Sequence, residues 1–175
     1  QDGITEVQRK FFGTLYNTYS FFALYANIDG FDAKTSTPIP VEQRPELDRW
    51  IISKLNSLTN LVQEKLNDYD PTPAARAIDS FVDEHLSNWY VRLSRRRFWS
   101  VRGTTETGES LKDKQAAYQT LHECLTRVAQ LMSPFAPFFS DWLYRNDQPG
   151  SDSDHLSYLR GGENHLIDTD LEERM

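Results

Sequence analysis

An all-α, up-and-down bundle of four long helices with a short fifth is the architecture this sequence predicts. Three observations carry it. Apolar residues recur at spacings of three and four over long stretches, proline and glycine clusters separate those stretches, and no alternating apolar and polar run long enough for a strand interrupts them.

The first helix is expected over 5–27, where Val7, Phe11, Leu15, Tyr19, Phe22 and Ala26 form one apolar face and Thr5 suits the N-cap. Gly30, Pro38, Pro40 and a Thr-Ser-Thr run then mark an ordered but irregular connector. The second helix starts near Pro45, where a first-turn proline is tolerated, and Glu46 and Asp48 suit the positive end of the dipole. Leu47, Ile51, Leu55, Leu58, Val62, Leu66 and Tyr69 mark its buried stripe, and Asp70-Pro71-Thr72-Pro73 ends it. A third helix is expected from about residue 72 to 99, roughly 40 Å long, with Ile78, Phe81, Val82, Trp89 and Leu93 on its inner face. Residues 103–108 form a polar connector. The fourth helix, over 111–132, carries Tyr118, Leu121, Leu125, Val128 and Met132 before Ser133-Pro134 closes it, and 135–145 supplies the short fifth.

In 175 residues, 38% hydrophobic and 13% aromatic content supports one sizeable core. No stretch approaches the roughly 18 apolar residues of a membrane span, and the start lacks the basic and apolar signature of a signal peptide. The single Cys124 forms no internal disulfide and reads as a core thiol. A soluble, cytoplasmic protein with no membrane partner is expected. Opening on Gln1 directly into a helical pattern, the chain is expected to be a piece of something longer: a helical bundle over 1–146, then an acidic, poorly structured extension over 147–175, of which only 155–159 and 167–175 look capable of structure.

Catalytic and cofactor chemistry is absent from the pattern. Gly161-Gly162 stands alone, without the spacing of a phosphate-cradling loop. His85, His122, His155 and His165 show neither i, i+4 pairing nor cysteine partners, so surface or satisfied core histidines are the ordinary reading. Neighbouring carboxylates such as Asp83-Glu84 and Glu172-Glu173 point apart on a helix and are ordinary solvated charges. No catalytic residue, metal ligand or cofactor of this chain is expected.

Charge is distributed unevenly. Of the net −7, residues 147–175 contribute −6 through eight acids against two arginines, whereas 86–102 holds five arginines and no acid. There the chain reads Asn88-Trp89-Tyr90-Val91-Arg92-Leu93-Ser94-Arg95-Arg96-Arg97-Phe98-Trp99, with Arg102 three residues on. Guanidinium forks suit phosphate, and aromatic rings or guanidinium planes stack on bases splayed from an RNA loop. Counting 100° per residue from Ile78, Trp89, Arg92, Leu93 and Arg96 fall within about 60° of the apolar stripe, while Arg95 at about 260° and Arg97 at about 100° flank it. Arg95, Arg97 and Arg102 are thus the predicted RNA face, with Arg92, Arg96, Trp99 and Lys54 of the second helix as further candidates. Trp89, Leu93 and Arg96 are expected to hold the third helix in the bundle. The ordinary alternative, arginines serving as structural ion-pair partners, stays open, as does a protein-interaction bundle that binds no RNA.

Four strings carry a family resemblance: Asp48-Arg49-Trp50-Ile51-Ile52-Ser53-Lys54-Leu55-Asn56, the Asn88 to Trp99 run, Leu131-Met132-Ser133-Pro134-Phe135-Ala136-Pro137-Phe138-Phe139, and Phe11-Phe12-Gly13-Thr14-Leu15-Tyr16-Asn17-Thr18-Tyr19-Ser20-Phe21-Phe22. They resemble the anticodon-binding domain of class I isoleucyl-tRNA synthetases. The Pro-Phe-Ala-Pro-Phe pattern is shared with the valine, leucine and methionine relatives, whereas the Asn-Trp-Tyr to Phe-Trp run favours the isoleucine enzyme, with Leu93 standing where an arginine is often found. The resemblance implies a bundle of the class I anticodon-binding type that holds the anticodon arm of tRNA(Ile), with no DNA partner. It also implies that other domains of the parent enzyme activate isoleucine with ATP and magnesium and hydrolyse misactivated valine. The His-Ile-Gly-His and Lys-Met-Ser-Lys-Ser motifs of that catalytic domain are absent from these residues. The equivalent domain of a valine or leucine enzyme is the alternative within the family.

Overall fold

In the computed structural model, which describes residues 2–99, 108–135 and 168–175, the periodic stretches are helices and no strand occurs among the described residues. Helix α1 spans Asp2–Asp29 and buries Leu15, Phe22 and Ala26. It starts before the expected Thr5 and stops at Gly30, whose φ of +66° turns the chain so that the Phe31 N–H reaches the Ala26 carbonyl at 2.9 Å. The connector that follows is ordered by side chains of a later helix. Gln119 accepts from the Ile39 N–H at 2.9 Å and donates to the Thr37 carbonyl at 2.8 Å, and Arg44 donates to the Ile39 carbonyl at 2.9 Å.

Helix α2 (Glu46–Asn67) begins as expected after Pro45, whose carbonyl accepts from the Asp48 and Arg49 N–H groups. Its inner face is Trp50, Ile51, Ile52, Leu55, Leu58 and Val62, together with the acid Asp48, which is 0% exposed. Tyr69, predicted as the last residue of that stripe, is instead 95% exposed with a φ of +56°. The helix has ended two residues earlier, and Tyr69 takes the left-handed turn position that a glycine usually fills, sending the Asp70 N–H back to the Lys65 carbonyl at 2.9 Å.

The third long element is continuous but not uniform. It comprises α3 (Pro71–Ser80), a π-helical segment of wider turns (Phe81–Val91) and α4 (Arg92–Trp99). Helix α5 (Gly108–Met132) is the most deeply set, burying Tyr118, Leu121, Cys124, Leu125, Val128 and Met132. The fifth helix expected over 135–145 lies outside the described residues apart from Phe135, as does Arg102.

Contacts fix the up-and-down order. Lys10 meets Asp83 and Phe21 packs edge-on against Phe98, so α1 runs alongside the π-helical segment and α4 in the same direction. Asp48 near the start of α2 meets Tyr90 and Arg97 near the end of the third element, so those two run in opposite directions. Arg44 with Thr120 and Arg127 with Thr59 align α5 with α2. One core joins all four. Residues 168–175, the described part of the expected extension, carry a short helix, α6 (Thr169–Arg174), packed on α2 with Leu171 buried rather than standing apart from the bundle. No helix of the described residues is long and apolar enough to cross a membrane.

Candidate nucleic-acid interface

The basic segment sits where the wide turns hand over to α4. The buried side of this stretch is Val82, Leu86, Tyr90, Ser94 and Phe98, each no more than 1% exposed and each four residues from the last. In an ideal α-helix a four-residue step overshoots a full turn by about 40°, so four such steps would carry the face roughly 160° around. Wide turns with i→i+5 bonding advance less per residue and absorb much of that drift. The inner face is therefore rotated relative to the one extrapolated from Ile78, and every arginine assignment rotates with it.

Arg97 is the residue most affected. Its Nη1 and Nη2 donate to the two Asp48 carboxylate oxygens at 2.6 and 2.8 Å, and its Nε donates to Asp113 Oδ2 at 3.0 Å. Tyr90 Oη donates to the same Asp48 at 2.7 Å. Burial works against the Arg97 cation, but the hydrogen bond and charges around it outweigh that cost and hold its pKa above the ordinary value. A guanidinium committed in this way, with its side chain 14% exposed, ties α4 to α2 and α5. Its expected place on the RNA face is thus corrected. The signal was in the sequence: Asp48 lies three residues before Ile51 on the apolar stripe, where an unpaired acid would be costly, so some arginine of the basic run had to meet it.

The opposite correction applies to the residues expected inside. Trp89, Leu93 and Trp99 are 41%, 51% and 51% exposed, and Arg92, Arg95 and Arg96 are exposed with no ion pair among the described residues. Trp89, Arg92, Leu93 and Arg96 follow the i, i+3, i+4, i+7 spacing of one helical face, with Arg95 and Trp99 along its edge. The Trp89 indole lies against Trp50, at 6.4 Å between ring centroids. His85, a turn before Trp89, lies against Trp50 at 5.9 Å; burial, then the neighbouring Lys54 charge, lower its pKa, so it brings no positive charge at neutral pH. Lys54 is less available than the arginines, because its Nζ lies 3.5 Å from Glu172.

The result is a strip about three turns long bearing three guanidinium groups with no ion pair among the described residues, and two half-exposed indoles. It can take phosphates on the arginine forks and planar bases on the indole faces. No cluster of three or more metal-ligating side chains occurs among the described residues.

Comparison with known proteins bears on the same stretch. The family described as the anticodon-binding domain of tRNA ligase matches residues 48–172. The isoleucine--tRNA ligase of Porphyromonas gingivalis is 52% identical over 174 residues, 99% of this chain and 15% of that protein. That of Bacteroides thetaiotaomicron is 51% identical over 179 residues, again 99% of this chain and 15% of the relative. That of Thermus thermophilus is 48% identical over 143 residues, covering 82% of this chain and 13% of its own length. The chain thus spans about 15% of the length of the first two relatives, and all three carry the isoleucine name rather than the valine or leucine one.

Proposed function

Because the chain belongs to the anticodon-binding domain family of tRNA ligases, as its isoleucine-type relatives show, we propose that it is the module by which an isoleucine–tRNA ligase holds the anticodon arm of tRNA(Ile). The contact is the strip of Trp89, Arg92, Leu93, Arg95, Arg96 and Trp99; Arg102, three residues on in the sequence, lies outside the described residues and is kept as a candidate on its charge alone. The observation that carries this reading is the separation of the arginines into two kinds: Arg97 is locked to Asp48 and Asp113, while Arg92, Arg95 and Arg96 face outward beside exposed indoles.

The chemistry follows from the groups. A guanidinium fork grips a phosphate with two parallel hydrogen bonds, and each grip releases condensed counterions, which gives salt-sensitive affinity. An indole half out of the surface offers a face on which an unstacked base can lie, and anticodon-loop bases are the ones free to be splayed out. The net −7 of the chain does not forbid this, because 147–175 contributes −6 of it and 1–146 only −1. In the whole cytoplasmic enzyme, other domains would join isoleucine to the tRNA with ATP and magnesium, and this chain contributes orientation and affinity.

A chemical footprint of tRNA(Ile) in the presence of the chain tests the reading. Protection confined to the anticodon arm is expected. Protection of the acceptor end instead, or no protection at chain concentrations that retain the fold, would sink it.

A further inference from the structure

We propose that Ser53, Lys54 and Ser57 of α2 form a phosphate seat, filled by the Glu172 carboxylate of α6 in the free protein and taken by an RNA backbone phosphate on binding, so that RNA releases α6. This rests on the RNA-binding reading above and extends it to a second site and a moving element.

The seat is built from three donors within about one turn of α2. Ser53 Oγ and Ser57 Oγ donate to the same Glu172 oxygen at 2.6 and 2.9 Å, and Lys54 Nζ lies 3.5 Å from the other oxygen. Ser53 is 0% exposed, and its hydroxyl oxygen also accepts from the Asp168 N–H at 2.6 Å. Two hydroxyls and an ammonium around one oxyanion are as suited to a phosphate as to a carboxylate.

Among the described residues, little else holds the occupant. Helix α6 has six residues, far too few to be stable by itself. Its apolar anchorage is Leu171 with partly buried Met175, and the Arg174 to Glu46 pair, at 3.3 Å with both side chains largely exposed, adds little. Among the described residues, the Glu172 contacts and the Asp168 N–H to Ser53 bond are therefore its main polar ties. Position links the seat to the strip, since Trp50, one turn before Lys54, packs against both His85 and Trp89. Charge supplies the competition. Docked α6 brings the carboxylates of Asp168, Asp170, Glu172 and Glu173 onto α2, the helix whose Trp50 meets Trp89, and their charge opposes the approach of a phosphate backbone. Two anions for one seat couple the equilibria, so whatever weakens α6 docking strengthens RNA binding, and RNA weakens docking in return.

The test is fluorescence anisotropy of the 175-residue chain with a stem-loop copy of the tRNA(Ile) anticodon arm, titrated with salt, beside hydrogen exchange of the amides of 169–174. Glu172→Ala is expected to tighten binding about fivefold and to steepen the salt slope by about one phosphate contact. Adding Lys54→Ala should remove both gains, and RNA should accelerate exchange in 169–174 of the unaltered chain while leaving the α2 amides protected. If Glu172→Ala changes neither affinity nor slope while Arg92→Ala, Arg95→Ala and Arg96→Ala together weaken binding, the seat is wrong and the strip stands. RNA that slows exchange in 169–174 also overturns the seat. If neither set of variants alters binding, or the unaltered chain binds no RNA, both readings fall.

Discussion

The arginines of one short run do opposite work, and single substitutions separate them. Arg97 neutralises an Asp48 carboxylate that is 0% exposed, and the Tyr90 hydroxyl donates to the same group. Breaking such a pair from one side leaves a buried charge, which typically costs about 3–5 kcal/mol. Arg97→Ala should therefore lower the unfolding free energy by an amount of that order, read as a lower urea midpoint, whereas Arg96→Ala, on an exposed residue, should stay within about 0.5 kcal/mol of the unaltered chain. Equal midpoints for the two variants would show that the Asp48 to Arg97 contact is not structural. That some arginine would be drawn inside was legible from an acid on the apolar stripe of the second helix. Which one was not, because the answer depends on the helical phase 15 to 20 residues downstream of the reference point used to count it.

At the level of elements, the helices and connectors were readable because their signals are local: apolar spacing, proline before α2, glycine after α1. Phase along the third element was not. Extrapolation at 100° per residue assumes uniform α-geometry, and the π-helical segment over Phe81–Val91 breaks that assumption, turning Trp89 and Leu93 outward and Arg97 inward. Tyr69 failed for a similar reason, since the stripe was continued past the point where the helix closes. Its left-handed backbone costs a residue with a Cβ about 1–2 kcal/mol, partly offset against glycine by the latter's greater freedom in the unfolded chain. With its ring 95% exposed, no packing compensates. Tyr69→Gly should raise the stability by up to about 1 kcal/mol, read as a higher melting temperature, and a lower one would mean that the ring makes a contact the fold requires.

On the scale of the whole molecule, one core carries groups that fold only in their uncharged forms. Burial pushes the Cys124 thiol above its ordinary 9.0, and burial followed by the Asp48 charge pushes the Tyr90 phenol above its ordinary 10.0. The folded state thus keeps protons that the unfolded chain gives up, so the stabilisation is intact below about pH 9 and is lost as pH rises through the ordinary values. Urea midpoints should fall from pH 8 to pH 10.5, and Cys124→Ala should blunt the first part of that fall; midpoints flat across the range would contradict the burial of both groups. The same global view bears on how an acidic chain is proposed to bind RNA: most of its net negative charge is contributed by 147–175 of the sequence, while Arg92, Arg95 and Arg96 are exposed and Arg97, turned inward, holds α4 in register. The most direct measurement is the salt-dependent affinity of the anticodon-arm stem-loop for the chain bearing Arg92→Ala, Arg95→Ala and Arg96→Ala together. Binding at least tenfold weaker is predicted, with a salt slope reduced by about two and an unchanged urea midpoint; affinity and slope equal to those of the unaltered chain, with the midpoint intact, would contradict the account.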